Sequence, residues 1–147
     1  MKPITKVYPK VPSPCACMNL RRASRAVTQF YDDILQPSGI TVAQLSLLKQ
    51  VKLSETPTIS ELAKQNRIDR TTLNRNLKPL VDAGLITVNP GKDPRTKLVR
   101  LTEPGDAALT QGWSLWGEAQ EVIQDYLGEA NLAILVNLLS KLEALAP

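Results

Sequence analysis

The chain has no histidine, two cysteines and six aromatic residues among 147. Without histidine it lacks the side chain that most often moves protons near neutral pH, and also the commonest zinc ligand. No carboxylate pair stands in a glycine-rich or otherwise site-like setting, and no P-loop or dinucleotide fingerprint occurs. These absences argue against an enzyme and imply no metal and no cofactor. There is no apolar stretch near Met1 and no run of about 18 apolar residues, so neither export nor a membrane span is expected. The expected setting is the cytoplasm of a bacterium-like cell, with thiols reduced by default.

Acidic residues are scarce in the first two thirds. Residues 1–57 hold eight Lys/Arg against three acids, and residues 58–100 hold nine against four, so each carries +5. Residues 101–147 hold one lysine against seven acids, or −6, which leaves the net +4. A basic body with an acidic C-terminal third points to nucleic acid as the partner. Hydrophobic content of 43% with 22% charged residues is that of a folded globular chain long enough for one core.

The most informative stretch is Thr58–Arg100. Thr58 and Glu61 fit the S/T-x-x-E capping box, and Ile59, Leu62 and Ala63 give a short helix its buried stripe. Gln65, Asn66 and Arg67 break it, and Asp69 caps a second helix running to about Ala83. In that helix Leu73, Leu77, Leu80 and Val81 recur at helical spacing and are expected to face the core. Arg70, Thr71, Asn74, Arg75 and Lys78 fall on the opposite side, with no acid among them. A solvated helix face usually mixes Glu with Lys; this one offers donors, hydroxyls and amides, which suit phosphates and base edges. Gly84 ends the helix as a left-handed cap. Two β-prone runs, LITVNP and KLVRL, flank a tip in which Gly91 and Pro94 turn the chain among Lys92, Arg95 and Lys97. A helix-turn-helix followed by a basic hairpin is a winged helix. Its second helix would enter the major groove, where Thr71, Asn74 and Arg75 are the candidates for base contacts. Arg70, Lys78 and Lys97 would meet phosphates, and Arg95 can reach an adjacent minor groove. Pro79 sits inside this helix, where a bend near Arg75 is expected rather than a break.

On either side the pattern is helical. Residues 1–14 carry four prolines and three lysines and read as extended, either a free tail or an arm packed on a partner subunit through Ile4, Val7, Tyr8 and Val11. A long helix follows from about Cys15 to Gln36, with Leu20, Ala23, Val27, Phe30 and Ile34 as its seam. Pro37-Ser38-Gly39 ends it, and Thr41 opens a helix with Val42, Leu45, Leu48 and Val51 inward. After the hairpin, Thr102 caps a helix of some 24 residues whose apolar side holds Leu109, Trp113, Trp116, Ile123, Tyr126 and Leu127. Gly112 and Gly117 within it allow close approach or a bend. Past Gly128, Leu132, Leu135, Leu138, Leu139, Leu142 and Leu145 form a second seam. So much apolar seam at both ends implies association. The expected fold is mainly α with a small β-hairpin wing. A winged helix-turn-helix DNA-binding domain (38–101) is flanked by a helical dimerisation region (15–37 and 102–147).

The run DRTTLNRNLKPLVDAGLI, the turn Asp93-Pro94-Arg95-Thr96-Lys97 and the following Leu101-Thr102-Glu103-Pro104-Gly105 resemble the MarR family of bacterial transcription regulators. The order of elements resembles it too, over roughly residues 18–146, while Pro79 departs from it. The resemblance implies a homodimer on a pseudo-palindromic operator, a repressor commonly released by a small ligand or by thiol oxidation. It makes Arg95 the minor-groove arginine, with Asp93 bracing it or the recognition helix.

Two candidate sensing sites remain. Cys15 and Cys17 open the first helix, and i,i+2 neighbours in one helix point apart, which disfavours a bond between them there. Three readings stand: small buried or indifferent residues; a redox switch through sulfenic acid or an inter-subunit disulfide; or a metal site shared with the partner's pair. The position resembles the family's peroxide-sensing branch, which also places tyrosines near its thiol; Tyr31 is the only tyrosine in this first helix. Phe30, Tyr31, Trp113 and Trp116 are either core or the walls of a cavity for a small aromatic effector between the lobes. Two rival readings of the whole chain are a winged helix used for protein contacts and a thiol oxidoreductase built on Cys15 and Cys17.

Overall fold

The computed structural model describes Ile4 and residues 11–146. Eight regular elements follow one another: α1 (Ala16–Leu35), α2 (Val42–Leu53), α3 (Ile59–Asn66), α4 (Arg70–Asp82), β1 (Ile86–Pro90), β2 (Lys97–Leu101), α5 (Glu103–Leu127) and α6 (Glu129–Glu143). Most of the extended arm expected over residues 1–14 lies outside the described residues. Of its four anchors, Val11 is 90% exposed and Ile4 half-buried.

Local chemistry starts each central helix. Thr41 and Gln44 form a capping box on α2, and Thr58 and Glu61 form one on α3. Asp69 accepts from the Thr72 N–H, and Thr102 accepts from the Gly105 N–H, so α4 and α5 begin on side-chain oxygens as well. A fifth device spans two helices: Asp32 on α1 accepts from the Val42 N–H at 2.8 Å. It joins the end of α1 to the start of α2 through a 3-10 turn (Gln36–Ser38) that Gly39 closes at φ 76°.

The core joins α2, α3, α4 and the hairpin, with Leu48, Val51, Leu62, Leu73 and Val99 fully enclosed. Leu47, not expected inside, is buried as well. Val81 corrects the sequence reading: it is 40% exposed. Each helical residue turns 100° from the last, so Val81 leaves the stripe that Leu73, Leu77 and Leu80 share. Helix α4 runs unbroken through Pro79, and Gly84 follows it at φ 74°.

Strands β1 and β2 pair antiparallel, Val88 opposite Val99. The stretch before α3, read from sequence only as a loop, adds an isolated bridge to the edge of β2. Thr58 bridges Leu98, and the carbonyl of buried Pro57 accepts from the Val99 N–H at 2.9 Å. Helix α5 then crosses α2, where Gly112 permits the approach; a Cβ there would lie 2.9 Å from Leu45 and 3.0 Å from Ile40. Gly117 faces open space, so close approach is not its role.

At Gly105 an added Cβ would run into the Leu85 carbonyl oxygen. Gly105→Ala should therefore lower stability by about 1–3 kcal/mol, the usual cost of overpacking. Gly117→Ala, in open helix, should raise it by about 0.5–1 kcal/mol. Urea unfolding at one fixed protein concentration measures both, and losses of equal size would refute this packing account.

Candidate nucleic-acid interface

One side of α4 is buried, with Leu73, Leu77 and Leu80 at 0–2% exposure. Arg70, Thr71, Asn74, Arg75 and Lys78 are all exposed on the rest of its surface. Helix geometry makes this sorting inevitable once the leucines are inside. One acid does share the free surface: Lys78 Nζ lies 3.0 Å from Asp82 Oδ2, one turn on. Both are largely exposed, so the pair is weak and open to exchange for a phosphate. Asp69 fixes the N-terminus of α4. Its carboxyl is held below the usual range, first by the hydrogen bond from the Thr72 backbone, then by the Thr72 side chain, with Arg75 adding charge attraction.

The wing tip is built by its own backbone. The Gly91 N–H donates to Thr96 O at 2.7 Å and the Thr96 N–H to Asp93 O at 2.9 Å. Asp93 accepts from the Arg95 backbone at 3.0 Å and from its guanidinium Nε at 3.4 Å. The side-chain bonds of Asp93 run to Arg95, and none among the described residues runs to α4. Arg95 itself is 91% exposed at the side chain, and Lys92 and Lys97 are exposed beside it. The tip therefore projects three cations, one of them steered by a carboxylate.

Behind this face an amide pair ties α3 to α2, with Gln50 and Asn66 exchanging hydrogen bonds of 3.1 and 2.6 Å. No local pattern signals this pair, because its members lie sixteen residues apart. A groove of about 470 Å³ runs along the flank of α4, with Gln44, Ser46, Asn66, Arg75, Asn76 and Pro79 in its walls. Arg75 thus borders both this groove and the free face.

The four aromatic residues proposed as walls of an effector pocket meet as two pairs, one on α1 and one on α5. Trp113 and Trp116 stack on each other, centroids 4.5 Å apart and planes 10° from parallel. Phe30 and Tyr31 meet edge to face at 5.9 Å. Tyr31 donates to Gln120 Oε1 at 2.6 Å, joining α1 to α5, and its burial raises the phenol above its ordinary value. The cleft that Trp113 does line, about 280 Å³, is completed by Lys49, Lys52, Leu53, Leu109 and Thr110. Lys49 Nζ sits 3.6 Å from the Trp113 ring centroid, a cation–π contact. Sequence reasoning missed both lysines, because stacking at i,i+3 turns the tryptophans toward each other.

Cys15 and Cys17 are free thiols, both exposed in the protomer, so the reading of them as buried small residues does not hold there. Cys15 is the N-cap of α1 and Cys17 lies within the first turn. Ser13 and Asn19 clasp this turn by mutual hydrogen bonds of 2.9 and 2.7 Å. No third histidine, cysteine or carboxylate completes a metal group among the described residues.

Six helices, a two-stranded wing and an exposed cationic second helix of the turn define a winged helix-turn-helix protein. A profile of the MarR family matches residues 38–95. The DNA-bound transcriptional regulator MosR of M. tuberculosis is 38% identical, over 90% of this chain and 99% of that one, with TM-score 0.77. A mutant MarR from E. coli, complexed with operator DNA, is 28% identical over 86% of this chain and 91% of that one, with TM-score 0.75. The organic hydroperoxide resistance transcriptional regulator of Bacillus subtilis is 34% identical over 90 residues, 60% of this chain and 61% of that relative. The chain belongs to the MarR family, and these relatives are transcription regulators rather than enzymes.

The Asp69 carboxylate stabilises the fold only while ionised. Its depressed value means that the contribution is full above the unfolded carboxyl value of about 3.9 and is lost as pH falls through the lower folded value. Asp69→Asn keeps an acceptor but does not titrate. The stability advantage of the wild type over this variant should be constant near neutrality and shrink in acid. A difference that stays flat down to the acid transition would remove the charged cap from the account.

Proposed function

We propose that this protein is a DNA-binding repressor that acts as a homodimer on a pseudo-palindromic operator in the cytoplasm. The observation that carries the reading is the exposure of the cationic face of α4 together with that of the wing tip. Thr71, Asn74 and Arg75 would read bases in the major groove, Arg70, Lys78 and Lys97 would meet phosphates, and Arg95, steered by Asp93, would enter the minor groove. Dimerisation falls to residues 15–37 and 102–147. Leu20, Val27, Leu135, Leu138, Leu139 and Leu142 are exposed there in the lone protomer, an arrangement that calls for a second copy. The likeness to MosR and MarR, each solved with DNA, supports the same assignment.

Release would come through the thiols or a small ligand. Two exposed cysteines at the start of α1, and a relative named for organic hydroperoxide resistance, favour oxidation. The Trp113 cleft, with Lys49 and Lys52 at its wall, is where an aromatic effector would sit. A winged helix serving protein contacts instead would show no DNA binding at moderate salt.

Selection from a random DNA pool should yield a two-fold-related site. If each subunit neutralises about four phosphates, log affinity should fall against log salt with a slope near about −7. On that site Arg75→Ala should cost about 1–3 kcal/mol and relax sequence preference, while Lys97→Ala should weaken every sequence alike. Equal losses on operator and random DNA for both variants would undo the assignment of roles. Peroxide should lower operator affinity, and Cys15→Ser should abolish that response; a wild type indifferent to peroxide ends the redox reading.

A further inference from the structure

Arg67 occupies the connection between α3 and α4, and the winged-helix reading gives it no task. Its backbone is left-handed, φ 53° and ψ 43°. Glycine or asparagine is the usual choice there, because a Cβ crowds the backbone. The Arg67 N–H closes α3 on the carbonyls of Ala63 and Lys64, which glycine would do equally well. The side chain does what glycine could not. Its Nη1 donates to the carbonyl oxygen of Glu143 at 3.0 Å, 76 residues along the chain.

Glu143 is the last residue of α6. The final carbonyls of a helix carry the negative end of its dipole, so a guanidinium there is well placed. It is a second donor beside the Ala146 N–H, from which the Glu143 carbonyl already accepts at 3.2 Å. Arg67 therefore caps α6 from the helix-turn-helix. Apart from this bond, α6 packs chiefly on α5, and its leucines stay uncovered in the protomer.

We propose that Arg67 is a positioning residue that ties the helix-turn-helix to α6, so that the separation of the two recognition helices follows the packing of the dimer. The inference rests on the reading of the protein as a DNA-binding homodimer. A two-fold protein must set its recognition helices about one turn of DNA apart, roughly 34–36 Å. A tie between the turn and the dimerisation helix narrows the separations each protomer samples. It raises affinity for a matched operator by preorganisation, without touching DNA.

Arg67→Gly tests this directly, because it removes the guanidinium and gives a left-handed position its preferred residue. The variant should remain dimeric by sedimentation and melt no lower than the wild type. Its affinity for the selected operator should fall about fivefold, a modest coupling effect. A pool in which the half-site separation varies by one or two base pairs should yield a broader distribution than with wild type. The salt dependence should keep its slope. Unchanged affinity and separation would overturn the proposal. So would a slope smaller by about one with equal loss on every separation, since Arg67 would then be a phosphate contact. Loss of the dimer would overturn it too, by making Arg67 a subunit contact. If the wild type itself is monomeric or binds no DNA, the underlying reading has failed rather than this one.

Discussion

The enclosure of Leu73, Leu77 and Leu80 decides what α4 can present. Each fully buried leucine contributes about 1.5–3 kcal/mol relative to exposure, and together they hold the helix in one rotation about its axis. Weakening that stripe would free the helix to turn, and Asn74 and Arg75 would then point at no fixed place. The charged face is therefore a consequence of the apolar one. The same packing explains why Pro79 is tolerated. Its missing N–H and its crowding of the Arg75 carbonyl would cost an isolated helix about 3 kcal/mol, but Leu77 and Leu80 on either side are buried and keep the segment helical.

Electrostatics adds direction rather than strength. Asp82 and Asp93 each pair with one cation of the candidate interface, Lys78 and Arg95, at solvent-exposed positions. Exposed pairs of this kind contribute little to stability. Their effect is to hold each long side chain in one region of the surface. The wing needs such help because residues 92–95 at its tip are all exposed. Its base is firmer, since Pro57 and Thr58 bridge to β2 and attach the hairpin to the start of α3.

What could be read from the sequence follows how far apart the interacting residues lie. The caps at Thr41, Thr58, Asp69 and Thr102 act over three residues, so the starts of four helices were legible. The stripe of α4 repeats every three to four residues and was legible too, apart from Val81, one step beyond the face. The Asp93–Arg95 bond spans two residues, but its use as a brace came from family resemblance. Distant pairs left no such mark. Tyr31 with Gln120, Gln50 with Asn66 and Arg67 with Glu143 are joined only after the chain has folded. Ring orientation was not legible either. Counting aromatic residues on two helices says nothing about which ring faces which, and here each contact pair lies on its own helix.

Helix α6 shows what the lone chain leaves unfinished. Ile134, Leu135, Val136, Leu138, Leu139 and Leu142 are each 38–57% exposed, on a helix with no residue fully buried. A helix of 15 residues gains little from propensity alone in water, and within the protomer its packing is chiefly on α5. Helix α1 has the matching shortage, with Leu20 and Val27 uncovered. Two such seams on one chain can cover each other across a two-fold axis, where each α1 meets what each α6 lacks. A second copy would then be needed for the terminal helices to be stable at all, and the recognition helices would come as a pair for that reason.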